Sequence, residues 1–217
     1  QGLLFWRSAT CWIGGAGVVM FALLILPSLG TNKMALSSGE LSSLAKDNYR
    51  YRTQMIVRIL LVVYVGLTLI TTLLLKVSGM RWFDALNHAM SACATCGFST
   101  KNASIAYFNS GLIEWILAIA MILVGVHFGI IYATITGKHN NMFRSEITRF
   151  YFAIIIVASL CIAFSLWFED VYPTILLSLR NALFHTASFI TTTGYATADC
   201  NTWTSFAILV LISCSIV

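Results

Sequence analysis

The sequence predicts an all-α integral membrane protein built from repeated units of membrane helix, re-entrant loop and membrane helix. Two observations carry this prediction. Apolar residues make up 59% of the chain and charged residues only 10%, which leaves too little polar surface for a water-soluble globule. In addition, a stretch of intermediate polarity occurs twice, at an offset of 97 residues, and apolar runs flank each copy.

Four apolar runs are long enough to cross the hydrocarbon layer of a bilayer, which takes about 20 helical residues. They cover Leu3–Leu29, Met55–Leu75, Leu112–Thr136 and Phe150–Phe168, and a fifth run starts near Trp203. No charged leader precedes the first run and the first residue is not Met, so we expect the sequence to be an interior piece of a longer protein.

The runs divide the chain into a series of predicted segments. These are the second membrane helix of a first repeat at residues 1–30, a cytoplasmic loop at 31–54, a second repeat at 55–136 with its pore loop at 81–108, a cytoplasmic loop at 137–149, and a third repeat at 150–217 with its pore loop at 173–202. Short helices are expected at Phe83–Ala94 and Leu176–Thr191, which lack Pro and Gly. Backbone that leaves helical form at membrane depth must be enclosed by protein or line a watery cavity.

Basic residues cluster in two of the segments between spans. Residues 31–58 and 137–149 together carry eight Lys or Arg and three Asp or Glu, whereas the segments on the opposite side carry five of each. Because cytoplasmic loops are enriched in Lys and Arg, these segments are predicted to face the cytoplasm of a multi-pass inner-membrane protein. Contact with water or lipid headgroups accounts for the charges, so no nucleic acid is expected as a partner.

The two pore loops align without a gap, Ala85–Thr100 on Ala182–Thr197, with seven identical residues in sixteen. Each copy places a Gly after Thr-rich residues and before an aromatic ring: Thr95, Cys96, Gly97 and Phe98 in one, and Thr192, Thr193, Gly194 and Tyr195 in the other. Gly permits the left-handed backbone angles that turn successive carbonyls toward one axis. Carbonyl oxygens arranged in this way can replace the water shell of a potassium ion, and the negative C-terminal ends of the preceding helices favour a cation there. The sequence therefore predicts a selectivity filter of a potassium-channel-like fold.

The chain resembles the Trk/Ktr/HKT superfamily of potassium transporters, most closely its bacterial Trk branch. Ala94–Thr100 and Thr192–Asp199 look like the second and third filter loops of the superfamily. Phe5–Ser8 and Trp12–Gly17 look like the outer end of the second helix of its first repeat. The resemblance covers essentially the whole chain. One departure is Cys96, where the superfamily often has Gly, although the Cys96 carbonyl can still coordinate an ion.

The resemblance implies potassium uptake through a pore enclosed by four such repeats in one polypeptide. It implies that Gly97 and Gly194 are the filter glycines and that the ligands are the carbonyl oxygens of Thr95, Cys96, Thr192 and Thr193. K+ is then the transported ion, and we expect neither a cofactor in this chain nor enzymatic activity. Cytoplasmic nucleotide-binding regulatory subunits that gate the pore, and a homodimer in the lipid bilayer, are the implied partners. Sodium- or proton-coupled symport is the alternative transport mechanism.

A membrane redox protein is a more distant alternative. Cys93 and Cys96 form a CxxC pair of the kind found at redox and metal sites. However, Ile190 and Thr193 occupy the equivalent positions of the other repeat, and a zinc ion would need further ligands. The cysteines are therefore expected to be dispensable as thiols.

Four ionisable residues lie in or beside the apolar runs. His88 and His185 occupy the same repeat position, where a structural hydrogen bond behind the filter is predicted and proton sensing is the alternative. His127 and Glu114 are further candidates for a functional role, because ionisable groups are costly inside a membrane and usually serve a function there. Glu114 is close enough to the outer end of its span to be an interface residue.

Two glycine-rich stretches suggest close packing of helices. Gly14–Gly17 resembles part of a nucleotide-binding fingerprint, but it lies inside an apolar run without the strand and helix that such a site needs. Gly125 and Gly129 form a pair four residues apart, which is typical of helices that pack closely in membranes. We predict a packing role for both stretches.

Overall fold

The computed structural model describes residues 1–17, 43–126, 128–135 and 145–216, and for residues 43–56, 129, 132, 133 and 135 it describes the backbone alone. Within these ranges the secondary structure is entirely helical, which confirms the predicted fold class. The helices are α1 (residues 2–17), α2 (Ser43–Val77), α3 (Trp82–Cys93), α4 (Gly111–Val124), α5 (Phe128–Ile135), α6 (Glu146–Phe168), α7 (Ile175–Ile190) and α8 (Ser205–Ile216). Two short 3-10 turns, Ser104–Phe108 and Cys200–Thr202, follow the loops after α3 and α7.

Two repeats of long helix, short helix and apolar helix are visible as α2–α3–α4 and α6–α7–α8. Two segments, Val57–Val77 and Glu146–Phe168, are long and apolar enough to cross a membrane. Large apolar side chains are exposed along both: Val62, Leu69 and Leu73 on α2, and Ile156, Leu160 and Phe164 on α6. Such continuous exposed apolar surface is stable against lipid tails and costly in water.

The short helices α3 and α7 lie inside the structure, between the membrane helices. Ala85 and Ala89 of α3 and Phe184 of α7 form one buried cluster with Leu117 of α4. The small alanines allow the helices to approach closely. Both short helices begin and end within one residue of the predicted bounds. The loops that follow them are partly open: Phe98, Thr192 and Gly194 are exposed, and most of their neighbours are half-buried.

Two helices differ from the predicted spans. Helix α2 starts at Ser43, twelve residues before the predicted span and inside the segment assigned to a cytoplasmic loop. The predicted span Leu112–Thr136 is interrupted, because α4 ends at Val124 and α5 starts at Phe128. His127 lies outside the described residues, so its predicted interest stays untested.

Tyr151 of α6 explains the end of α4. Its hydroxyl donates to the Ile122 carbonyl at 3.3 Å, while the Val126 amide bonds to Leu123 instead of continuing the α-helical pattern to Ile122. Gly125 lies against the same tyrosine, and an added Cβ would collide with its hydroxyl. Gly125 therefore has the packing role predicted for it. Gly15 of α1 has one too, since its added Cβ would lie 3.1 Å from the Tyr64 hydroxyl, whereas a Cβ added at Gly14 or Gly17 meets no described atom within 4 Å.

Candidate functional site

The two loops after α3 and α7 follow the same backbone path. Each short helix ends at the same repeat position, and the second residue of each following turn, Thr95 or Thr192, has a left-handed φ of 50° or 53°. Gly97 and Gly194 follow with φ of 65° and 84°. A β-branched residue in this region is strained, and strain of this kind clusters at functional sites. The same outlier at equivalent positions shows that both sequences impose one loop geometry.

A shared set of hydrogen bonds holds this geometry. The Cys96 amide donates to the Ser91 carbonyl at 3.0 Å, and the Thr193 amide donates to the Ser188 carbonyl at 2.9 Å. The side chains at both loop positions also turn back toward the helix: the Cys96 sulfur lies 3.4 Å from the Ser91 hydroxyl, and the Thr193 hydroxyl lies 2.7 Å from that of Thr191. The amide and the side chain of Cys96, and those of Thr193, thus form contacts toward the end of the preceding helix.

The carbonyl groups of the loops fall into two classes. No described residue donates a hydrogen bond to the carbonyl oxygens of Thr95, Cys96, Gly97, Thr192, Thr193 and Gly194, nor to those of Ala94 and Thr191 just before them. The carbonyls that follow are all occupied, those of Phe98, Ser99, Tyr195 and Ala196. Free carbonyls at membrane depth are costly unless water or an ion meets them. Each loop therefore has a run of adjacent carbonyl oxygens that are free to meet water or an ion.

The two loops pack directly against each other. A Cβ added at Gly97 would collide with the carbonyl oxygen of Thr193 and come within 3.1 Å of its carbonyl carbon. At Gly194 an added Cβ meets no described atom within 4 Å. Gly97 is thus required for both its backbone angle and the approach of the neighbouring loop, whereas Gly194 is required for its angle alone.

Histidines behind each loop confirm the predicted structural hydrogen bonds. His88 Nδ1 donates to the Asp84 carbonyl at 2.7 Å, and its Nε2 accepts from the Ser99 hydroxyl at 2.9 Å. The Ser99 oxygen in turn accepts from the Lys101 amide at 3.0 Å. His185 repeats only the first of these bonds, to Asn181 at 2.9 Å, because Ala196 stands where the other loop has Ser99.

Each loop is also spanned by one polar contact between side chains, which was not predicted from the sequence. Thr100 donates to the Asp84 carboxylate at 2.5 Å, and Thr197 donates to the Asn181 side chain at 3.1 Å. These contacts tie the far end of each loop to the start of its short helix. A signal existed: extending the aligned block by one residue pairs Asp84 with Asn181, and Thr100 with Thr197 is already an identity.

Side chains from neighbouring repeats complete the site. Tyr195, almost fully buried, donates to the carbonyls of His88 at 3.1 Å and Phe98 at 3.3 Å. Arg7 of α1 donates to the Ser99 carbonyl at 2.8 Å and stacks on the Phe98 ring. The structure thus brings all eight predicted filter residues into two adjoining loops, with the Tyr195 ring buried and the Phe98 ring exposed.

The thiols of the predicted CxxC pair are both free, Cys93 buried and Cys96 partly exposed. Within the described ranges no group of three or more His, Cys, Asp or Glu side chains is arranged to hold a metal ion. The backbone of Cys96 forms part of the loop, and its sulfur contacts the Ser91 hydroxyl.

Comparison with known proteins gives consistent matches. The TrkH family model, described as "Cation transport protein", matches residues 1–149. The chain is 34% identical to the Trk system potassium uptake protein TrkH of Salmonella typhimurium, over 99% of this chain and 45% of that protein. It is 30% identical to the Trk system potassium uptake protein TrkG of Escherichia coli K12, over 98% of this chain and 44% of that protein.

A solved structure matches the fold as well. The crystal structure of the potassium transporter TrkH from Vibrio parahaemolyticus superposes with a TM-score of 0.81 at 26% identity, over 98% of this chain and 43% of that one. The chain therefore spans less than half the length of the relatives it matches.

Proposed function

The chain belongs to the TrkH family of cation transport proteins, and from this premise we propose that it supplies two of the filter loops of a potassium-uptake pore in the cell membrane. The relatives are named as potassium uptake proteins and not as enzymes. In this proposal the loops containing Gly97 and Gly194 select the ion through their backbone oxygens.

The free carbonyl oxygens of the two loops, which include those of Thr95–Gly97 and Thr192–Gly194, are the observation that carries the proposal. An ion that sheds its water shell needs several oxygen ligands in its place, and carbonyl dipoles supply them without adding a fixed charge. Helices α3 and α7 both end at these loops, so their negative C-terminal ends favour a cation at the same point. Backbone ligands also make the identity of the side chain at Cys96 unimportant for coordination.

The membrane arrangement and partners belong to the same proposal. We place the basic segments at 31–58 and 137–149 on the cytoplasmic side of the inner membrane, where regulatory nucleotide-binding subunits dock, and the complete protein as a homodimer. The filter geometry serves passive permeation and sodium- or proton-coupled symport equally. Passive permeation predicts that K+ flux in vesicles follows the K+ gradient alone, with no dependence on a sodium or proton gradient.

The test of the filter is ion selectivity in the complete protein, reconstituted into lipid vesicles. A Ser at Gly194 opposes the φ of 84° that directs the preceding carbonyls, so Gly194→Ser is expected to lower the ratio of K+ to Na+ permeability about tenfold, ~1.4 kcal/mol. Gly97→Ser is the second arm. Gly79→Ser is the matched control, because Gly79 has φ of 101° and open space around it but lies outside the loops. An unchanged ratio in a well-folded Gly194→Ser protein would show that these loops are not the filter.

A further inference from the structure

We propose that Arg7 is a positioning residue for ion selectivity, acting from α1 on the filter loop of the following repeat. The inference rests on the proposed function, since it assigns to Arg7 the role of orienting the carbonyls of Thr95, Cys96 and Gly97. Arg7 lies 92 residues away from this loop in sequence, so the contact joins two different repeats.

Arg7 contacts the two residues that directly follow Gly97. Its Nη2 donates to the Ser99 carbonyl at 2.8 Å, and its guanidinium carbon lies 4.3 Å from the centre of the Phe98 ring. A charged donor makes a stronger hydrogen bond than a neutral one, and the planar guanidinium can stack and donate together. The arginine therefore fixes both the peptide plane and the side chain at the exit of the loop.

The carbonyls after Gly97 are tied from two sides. Tyr195 of the third repeat donates to the Phe98 carbonyl at 3.3 Å, while Arg7 of the first repeat occupies that of Ser99. Successive peptide planes share their Cα atoms, so fixing these two planes limits the rotation of the plane at Gly97. Releasing the Ser99 carbonyl allows rotation to spread back toward the ion ligands.

In the third repeat, the two carbonyls after the glycine are also occupied, but no arginine is involved. The Tyr195 carbonyl accepts from the Ser188 hydroxyl at 2.8 Å, and the Ala196 carbonyl accepts from the Ile105 amide at 3.2 Å. In both loops, then, a run of free carbonyls ends at the glycine and is followed by two occupied ones. Only in the second repeat is the last of these bonds made by an ionised side chain from a membrane helix.

Arg7→Met tests the proposal, because Met keeps the length and apolar stem but neither donates nor stacks as a cation. In vesicles containing the complete protein, we expect the K+ to Na+ permeability ratio to fall about threefold to tenfold. Arg7→Lys, which restores the charge and one donor, is expected to recover part of the ratio. Lys76→Met is the matched control: Lys76 lies over the Trp82 ring at 5.6 Å and donates to the Met80 carbonyl at 3.3 Å, away from the filter loops.

Three outcomes overturn the proposal. The first is a parental ratio in folded Arg7→Met, and the second is a lower flux with an unchanged ratio, because both describe a merely structural arginine. The third is an equal loss of selectivity in Lys76→Met. If Arg7→Met does not fold, the K+ to Na+ permeability ratio is measured in Arg7→Gln instead. A parental ratio in that variant would contradict the proposal. Gly194→Ser is measured in parallel: a parental ratio there contradicts the filter itself, whereas a lowered ratio beside parental arginine variants contradicts only the role of Arg7.

Discussion

The hydroxyl of Tyr195 lies 3.1 Å from the carbonyl oxygen of His88, which joins the loop after α7 to helix α3. The same hydroxyl lies 3.3 Å from the Phe98 carbonyl, so its proton is shared between two acceptors of one neighbouring repeat. Tyr195 is only 1% exposed, and water cannot replace these bonds. The position of one loop therefore depends on the other.

Tyr195→Phe removes this link while keeping the ring. We expect it to lower the free energy of unfolding by about 1–2 kcal/mol, because a buried acceptor loses its donor. The equivalent residue of the second repeat is Phe98, so the loop itself accepts a phenyl ring. The measurement is the melting temperature in detergent, with Tyr107→Phe as a control on an exposed tyrosine. Equal melting temperatures for the parent, Tyr195→Phe and Tyr107→Phe would contradict a stabilising role of the Tyr195 hydrogen bonds.

Gly97 and Gly194 should differ in their tolerance of substitution. Alanine at either position pays about 1–2 kcal/mol for a left-handed angle, but at Gly97 its Cβ also meets the Thr193 carbonyl oxygen. Gly97→Ala is therefore expected to reduce the amount of folded protein far more than Gly194→Ala does. Gel filtration of the two variants in detergent checks this, with Gly79→Ala as the strained but unobstructed reference. Similar yields of both filter variants would be inconsistent with close contact of the loops.

Much of this architecture could be predicted because the apolar runs and the repeated loop sequence are both patterns within short stretches of the chain. Thr, Cys and Gly residues mark the ends of helices α3 and α7, and the repeat places Gly97 and Gly194 in register. The interruption of the third apolar run was not predictable in the same way. It depends on Tyr151, a residue of a different helix whose hydroxyl takes the place of a backbone donor at Ile122.

The contacts that surround the loops escaped sequence reasoning for the same reason. Arg7 reads as an ordinary outer-surface charge, and its partner Ser99 is 92 residues away. Glu114 lies close enough to the outer end of its predicted span to be an interface residue, but its ion pair with Arg180 at 2.9 Å was not predicted. Single-sequence patterns show which residues share a helix face but not which helices meet. Only the repeated contact of Asp84 with Thr100 left a trace, through Asn181 and Thr197 in the second copy.

The cysteine pair should be dispensable. Replacing Cys93 and Cys96 together by Ser leaves the backbone carbonyls in place, and a Ser at 96 can still contact Ser91. We expect K+ uptake within severalfold of the parent protein, measured in cells that lack other potassium uptake. Cys96→Thr, which copies Thr193 of the other loop, is the matched variant. Abolished uptake in a folded double variant would instead favour a redox or metal role.

The ion pair between Glu114 and Arg180 joins α4 of one repeat to α7 of the other. Glu114→Gln leaves the arginine without its countercharge, and we expect a loss of about 2 kcal/mol, below the full value for a buried pair since the Arg180 side chain is 31% exposed. Glu114→Gln with Arg180→Met should recover part of the loss. Melting temperatures of the single and double variants measure it, beside Glu169→Gln on the surface. Additive losses would mean that the two side chains act independently.

The unequal partners of the two histidines provide a gain-of-stability test. His185 Nε2 is fully buried without a hydrogen-bond partner among the described residues, although the Ala198 backbone lies close by. Ala196→Ser places a hydroxyl where Ser99 meets His88 at 2.9 Å, on a loop of the same backbone path. A new buried hydrogen bond is expected to add about 0.5–1.5 kcal/mol to the free energy of unfolding. Raised thermal stability for Ala196→Ser, with a matching fall for Ser99→Ala, is the expected result. If Ser99→Ala destabilises the protein but Ala196→Ser does not stabilise it, the histidine surroundings of the two repeats are not equivalent.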